Sequence, residues 1–246
     1  MKRNNEQQLH IFEQQDTLLS SLADFIVAES KQAITREGRF SLVLSGGSSP
    51  KRLYELLASD AYRDQVEWNK VFFFFGDERY VPLTDVQSNY LMAKTALFDP
   101  LQIATDHIYA MDTAQTPEEA ALCYQQDLEA YFGTKTPHFD IILLGLGDNV
   151  HTASLFPYTQ LLHEQKAWVK AEYINEVKMN RITLTAPIIN QANHIAFLIF
   201  GAGKAEAIQS AMSDTLDIDK YPAQLIQPDH GVLHWFLDQD AARLVE

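Results

Sequence analysis

Four strand-length runs, nearly all apolar, constrain this chain more than anything else in it: Phe40–Leu44, Val71–Phe75, 140–144 and 195–200. A strand with one wet face alternates apolar and polar residues. Runs without a polar face suit strands covered on both sides, as in a parallel sheet. Helix signals lie between them. Ser49-Pro50 reads as a cap and first helical residue, followed by Leu53, Leu56 and Leu57 on one face. Ser88 reads as the cap of a helix reaching Leu97. Thr116-Pro117-Glu118-Glu119 has capping-box spacing, and Ala121, Tyr124 and Leu128 then share a stripe. Residues 204–212 and 238–244 read as two further helices. Alternating buried strands and helices predict an α/β fold: an open sheet of mostly parallel strands with helices on both faces. No repeat or Pro/Gly/Ser-rich linker divides the chain, so a single domain is expected over 1–246.

The formal charge of −14 argues against nucleic-acid binding, which needs a basic face. Any anionic ligand would therefore need a locally basic pocket. No apolar run approaches the roughly 20 residues that cross a bilayer, so no membrane partner is expected. The start of the chain, Met1 to Gln8, leads into no apolar signal core, which predicts a cytoplasmic protein. The one cysteine, Cys123, cannot form an internal disulfide and reads as a packing residue on the capped helix. No Cys/His cluster has zinc spacing, and neither metal nor cofactor is expected.

In open α/β sheets ligands bind beyond the carboxyl ends of the strands, so those ends are where chemistry is expected. Ser45-Gly46-Gly47-Ser48-Ser49-Pro50-Lys51 permits close backbone approach ahead of a helix N-terminus. It is a phosphate cradle or an ordinary strand-to-helix turn, and it has neither dinucleotide-fingerprint nor P-loop spacing. Gly76-Asp77-Glu78-Arg79 offers a carboxylate and a guanidinium to a polar ligand, or is a solvated loop with a local ion pair. Within Gly145-Leu146-Gly147-Asp148-Asn149-Val150-His151, the histidine is a general base or a structural hydrogen-bonding group. Arg181 and Lys204 either face solvent or share a cleft with the 45–49 loop. Ser154 lies in no Gly-x-Ser-x-Gly elbow, so a serine hydrolase is a poor reading.

As an ordered set, Gly76-Asp77-Glu78-Arg79, Ser88-Asn89, His151-Thr152-Ala153-Ser154-Leu155-Phe156-Pro157, Arg181 and Lys204 resemble the 6-phosphogluconolactonases. The similarity extends from the Ser-Gly-Gly-Ser loop to Trp235-Phe236-Leu237-Asp238 and Ala241-Ala242. It implies a Rossmann-like α/β fold shared with the glucosamine-6-phosphate deaminases. Those typically read His-Ile-Ala-Phe-Asn-Glu-Pro after the glycine loop; this chain has Phe156 where they place the catalytic glutamate. The lactonase branch is favoured. The family loop usually carries Asp-Gly where this chain has Asn149 and Val150. Asn149 can accept a hydrogen bond but cannot neutralise an imidazolium. Valine would be strained if the backbone required positive φ.

The resemblance implies hydrolysis of 6-phospho-D-glucono-1,5-lactone to 6-phospho-D-gluconate in the oxidative pentose phosphate pathway. It implies catalytic roles for His151 and Asp77. Substrate contacts are expected from Ser45, Gly46, Gly47, Ser48, Arg79, Asn149, Arg181 and Lys204, with the 45–49 loop, Arg181 and Lys204 clamping the phosphate. A monomer acting on a small sugar phosphate lactone is expected. A sugar-phosphate isomerase or deaminase, and a non-catalytic sugar-phosphate binder, remain as alternatives.

Overall fold

The computed structural model describes residues 7–245; Met1 to Glu6, part of the stretch read as lacking a signal core, lie outside them. The strands are β1 (Gln7–Phe12), β2 (Phe40–Leu44), β3 (Val71–Phe75), β4 (Asp77–Arg79), β5 (Ile141–Leu144), β6 (Val169–Ile174), β7 (Met179–Leu184), β8 (His194–Ile199) and β9 (Val232–Asp238). The helices are α1 (Gln15–Glu37), α2 (Ser48–Leu57), α3 (Asn89–Ala93), α4 (Asp99–Leu101), α5 (Pro117–Phe132), α6 (Ala186–Ile189), α7 (Ala205–Met212) and α8 (Gln239–Ala242). Six strands form one parallel sheet, in the order β1-β9-β8-β5-β2-β3, flanked by helices. All four apolar runs lie in it, and β2 and β3 match their expected bounds.

Three of the four phenylalanines of β3 show why such runs have no polar face. Phe73 and Phe75 both pack edge-on against Phe98. Phe74, pointing the other way, packs against Tyr109, Tyr131 and Phe139. Both faces of the strand are thus covered by aromatic rings.

Two capping expectations need adjustment. Helix α2 begins at Ser48 behind Gly47 (φ 108), so Pro50 is its third residue rather than its first. The ring is tolerated there because the first-turn N–H groups have no helical acceptor. The Ser88 side chain does cap α3, accepting from Leu91 N–H. The α-helix then gives way to a π turn at Lys94–Phe98, so the helical path to Leu97 is not α throughout. The Thr116–Glu119 capping box is complete, with reciprocal bonds of 3.3 and 3.1 Å.

A second sheet, antiparallel and ordered β4-β7-β6, was not expected. The segment 77–79, read as a loop, is its first strand. Gly76 joins the two sheets: its N–H donates to Leu44 O of β2, and its carbonyl accepts from Leu184 N of β7. Two buried tyrosines finish the neighbouring strand ends. The Tyr54 hydroxyl bonds both the N–H and the carbonyl of Ser45 at 2.9 Å. The Tyr124 hydroxyl does the same for Phe75, at 2.8 and 3.3 Å. Backbone groups leaving the ladder are therefore satisfied without water.

Three histidines form a row across β1, β9 and β8. His10 Nε2 lies 3.2 Å from His234 Nδ1, His234 Nε2 lies 3.1 Å from His194 Nδ1, and His194 Nε2 lies 3.3 Å from Glu29 Oε2. A carboxylate acceptor at the end fixes the direction: each neutral ring donates from Nε2, and His234 and His194 accept at Nδ1. Burial lowers the pKa of all three, that of His234 to about 4.

Candidate active site

A cavity of about 180 Å³ opens where the two sheets meet, at the carboxyl ends of β2 and β5. Its walls carry Ser45, Gly46, Asp77, Arg79, Gly147, His151, Ser154, Phe156 and Arg181. Six of the residues expected at the strand ends line it together: Ser45, Gly46, Asp77, Arg79, His151 and Arg181.

His151 is held on every side. Its ring stacks on Phe156 with centroids 4.0 Å apart. Gly147 passes so close that a Cβ there would lie 2.1 Å from Nδ1, so only glycine fits. Nδ1 lies 2.5 Å from Asn149 Oδ1, whereas Nε2 has no partner among the described residues. Burial pushes the His151 pKa below the ordinary histidine value; Asp77 and Glu176 oppose that shift, and Arg181 and Lys204 add to it. The ring is therefore neutral at pH 7, with an unengaged nitrogen able to take a proton.

Val150, just before it, has φ 65, the left-handed region that a β-branched residue rarely adopts. The turn is pinned by Val150 N–H on Gly147 O at 2.9 Å, by Ala223 N–H on Val150 O at 3.0 Å, and by burial of the valine side chain. The positive φ implied by a family glycine is thus present, with valine adopting it.

Strand β4 divides its charges between two faces. Asp77 faces the cavity, accepting from Ser154 Oγ at 2.6 Å and Asn89 Nδ2 at 3.3 Å. The Asn89 amide fills the space beside Gly46, where a Cβ would stand 2.0 Å from its Oδ1. Glu78 points away and is buried, accepting from the N–H groups of Arg79, Asn89 and Tyr90 and from Ser88 Oγ. Burial raises its pKa, and those backbone bonds oppose the rise. Rather than being a solvated charge, Glu78 fastens the start of α3 to the strand.

Arg79 and Arg181 are direct cross-strand partners in the β4–β7 ladder, so their side chains share a face. Arg79 donates to Gln87 O at 2.7 Å; among the described residues neither guanidinium forms a salt bridge, and both Nε atoms are buried without an acceptor. Two adjacent, unpaired guanidinium groups provide the local positive charge that the acidic composition demanded.

Four expected residues stand elsewhere. Gly47 and Ser48 form the start of α2 rather than the cavity wall. Asn149 stands behind His151, with its Nδ2 on Glu176 Oε2 at 2.7 Å. Lys204 does not line the cavity; its ammonium is held by Leu146 O at 2.8 Å and Asp148 Oδ1 at 2.6 Å, so its charge is already compensated. Ser154 and Phe156 also line the cavity, although the sequence marks Ser154 only as a poor nucleophile and Phe156 only as an absent acid. Among the described residues no group of three or more His, Cys, Asp or Glu is arranged to hold a metal ion. No helix among them is long and apolar enough to cross a membrane.

Fold and cavity together define an α/β protein whose cavity sets a neutral histidine near two unpaired arginines. The chain belongs to the glucosamine-6-phosphate isomerase/6-phosphogluconolactonase family, whose model matches residues 13–235. It is 38% identical to a 6-phosphogluconolactonase of Nostoc sp., over 95% of this chain and 96% of the relative. It is 41% identical to a 6-phosphogluconolactonase of Synechocystis sp., over 85% and 86%. The solved 6-phosphogluconolactonase of Trypanosoma brucei superposes with a TM-score of 0.88 at 28% identity, covering 99% of this chain and all of that one.

Proposed function

We propose that this chain is a 6-phosphogluconolactonase: a hydrolase that opens 6-phospho-D-glucono-1,5-lactone to 6-phospho-D-gluconate in the oxidative pentose phosphate pathway. The observation that carries the reading is one cavity holding both a neutral, oriented His151 and the unpaired Arg79–Arg181 pair. The relatives that share the family name the same reaction.

The two arginines and the Ser45-Gly46 backbone hold the 6-phosphate. Fixing that end places the lactone carbonyl beside His151, so that orientation contributes to rate. His151 Nε2 takes a proton from water as its oxygen bonds to C1. The tetrahedral intermediate then collapses with cleavage of the C1–ring oxygen bond, and the imidazolium returns its proton to the departing oxygen. Asp77, fixed by Ser154, faces the sugar hydroxyls and the water. Gly47 and Ser48 support the cradle as the start of α2, and Lys204 secures the glycine loop through Leu146 and Asp148. The chemistry needs no cofactor or metal, and the protein acts as a cytoplasmic monomer with a single domain over 1–246.

An isomerase or deaminase would need an acid where Phe156 instead lays an apolar ring against His151. The test is hydrolysis of freshly prepared lactone, corrected for its spontaneous opening, with wild type beside His151→Ala. Turnover in the wild type and its loss in the folded variant is the expected result. A folded wild type with no rate above the blank would overturn the reading.

A further inference from the structure

We propose that Glu176, acting through Asn149, selects which nitrogen of His151 serves as the base. This rests on the lactonase reading for its kinetic consequence, but the positioning itself is a property of the resting protein. Glu176 lies in the turn between β6 and β7, and its Oε2 is 2.7 Å from Asn149 Nδ2. An ionised carboxylate only accepts, so the amide must present its NH₂ group to Glu176. The amide oxygen is thereby turned toward His151, where it meets the backbone N–H at 3.2 Å and Nδ1 at 2.5 Å. An oxygen facing Nδ1 requires a proton on Nδ1, which leaves the lone pair on the unengaged Nε2.

With the amide reversed, its NH₂ group would oppose the His151 backbone N–H and demand an unprotonated Nδ1. The proton would then move to Nε2, and the base would become a donor. Glu176 also accounts for the amide itself: an aspartate at 149 would set a second carboxylate against Glu176 at this spacing. Asn149 and Glu176 are thus a matched pair, and both are positioning residues. The other charges facing His151 are Asp77 on β4, Asp148 in the glycine loop, Arg181 on β7, and Lys204 just before α7; none contacts Nδ1.

The experiment reads His151 imidazole nitrogen shifts at pH 7.5 in the free protein, together with kcat and KM for the lactone. Glu176→Lys, which can only donate, is expected to move His151 toward the Nε2–H form. It should lower kcat by about tenfold, a part of the range general-base catalysis supplies, with KM within about twofold. Glu176→Gln, whose carbonyl still accepts from Asn149, should rescue both the tautomer and kcat. In an Asn149→Ala background Glu176→Lys should change nothing further, because the coupling runs through the amide. Retention of the Nδ1–H form and kcat in Glu176→Lys would overturn the proposal. So would an equal loss in Glu176→Gln, or an undiminished effect in the Asn149→Ala background. An Nδ1–H wild type that shifts in Glu176→Lys yet hydrolyses no lactone would support the positioning role and overturn the lactonase reading instead.

Discussion

Ser154 Oγ donates a 2.6 Å hydrogen bond to Asp77 Oδ2, tying the loop that carries His151 to the strand that carries Arg79. Both residues are buried, with Asp77 8% and Ser154 0% exposed. Ser154→Ala should therefore leave a carboxylate oxygen short of a donor. A hydrogen bond to a charged group is worth about 1.5–3 kcal/mol. In a chain of this size that predicts a melting temperature lower by roughly 3–12 °C, measurable by calorimetry.

Activity requires neutral His151, so it should hold at high pH and fall as pH drops through the His151 pKa. Burial places that pKa below the ordinary histidine value of 6.5. Asp77 opposes the shift, and removing its charge with Asp77→Asn should move the acid limb of kcat/KM to still lower pH. A pH–rate profile of the two proteins decides the sign, and an upward movement would contradict the electrostatic account.

Arg181→Ala removes a guanidinium with no internal partner, so at a pH where His151 stays neutral its main effect should fall on the ligand. Loss of one charge-assisted contact predicts a rise in KM of about tenfold or more. Lys204→Ala should raise KM less, because Asp148 already engages that ammonium. Initial-rate kinetics on both variants order the two residues.

At Val150 the usual ranking of small residues should invert. Glycine within a helix or strand normally costs about 0.5–1 kcal/mol relative to alanine. Here φ is 65, a conformation that costs a side chain roughly 1–2 kcal/mol and glycine nothing. Val150→Gly should consequently be more stable than Val150→Ala by urea unfolding, by about 1 kcal/mol.

The histidine row predicts acid lability remote from the cavity. A histidine whose folded pKa is depressed binds protons more readily when unfolded, so stability falls as pH drops below about 6.5. For His234, with its pKa at about 4, the loss should continue to near that pH. It should reach about 3 kcal/mol, taking 1.36 kcal/mol per unit. His234→Gln retains a donor and an acceptor without titrating, and should flatten the pH dependence of the urea midpoint between pH 4 and 6.5.

Much of the large sheet was legible because strands β8, β5, β2 and β3 carry no polar face, so periodicity and burial agree. Strand β9 was not, since His234 and Asp238 interrupt its apolar pattern while bonding to His194 and Gly201, partners distant in sequence. The small sheet was illegible for a different reason. Strand β4 is three charged residues long, and its strand character comes from pairing with 181–183, far along the chain. His151 and Arg181 could be chosen from local sequence because the strand ends and the family motif mark them. The place of Lys204 could not, because its compensation by Asp148 depends on how two loops meet. Asn149 likewise reads as a ligand contact until Glu176 is seen on its other side.

Gly76 spans the seam between the sheets with one bond to each, and β4 starts at the next residue. The cavity's polarity is therefore stored as odd-and-even parity. Asp77 and Arg79 look inward only because the chain crosses the seam in a single step. One residue more at that crossing would present Glu78 to the cavity instead, withdrawing both Asp77 and Arg79 and setting a carboxylate in place of the guanidinium that stands beside Arg181.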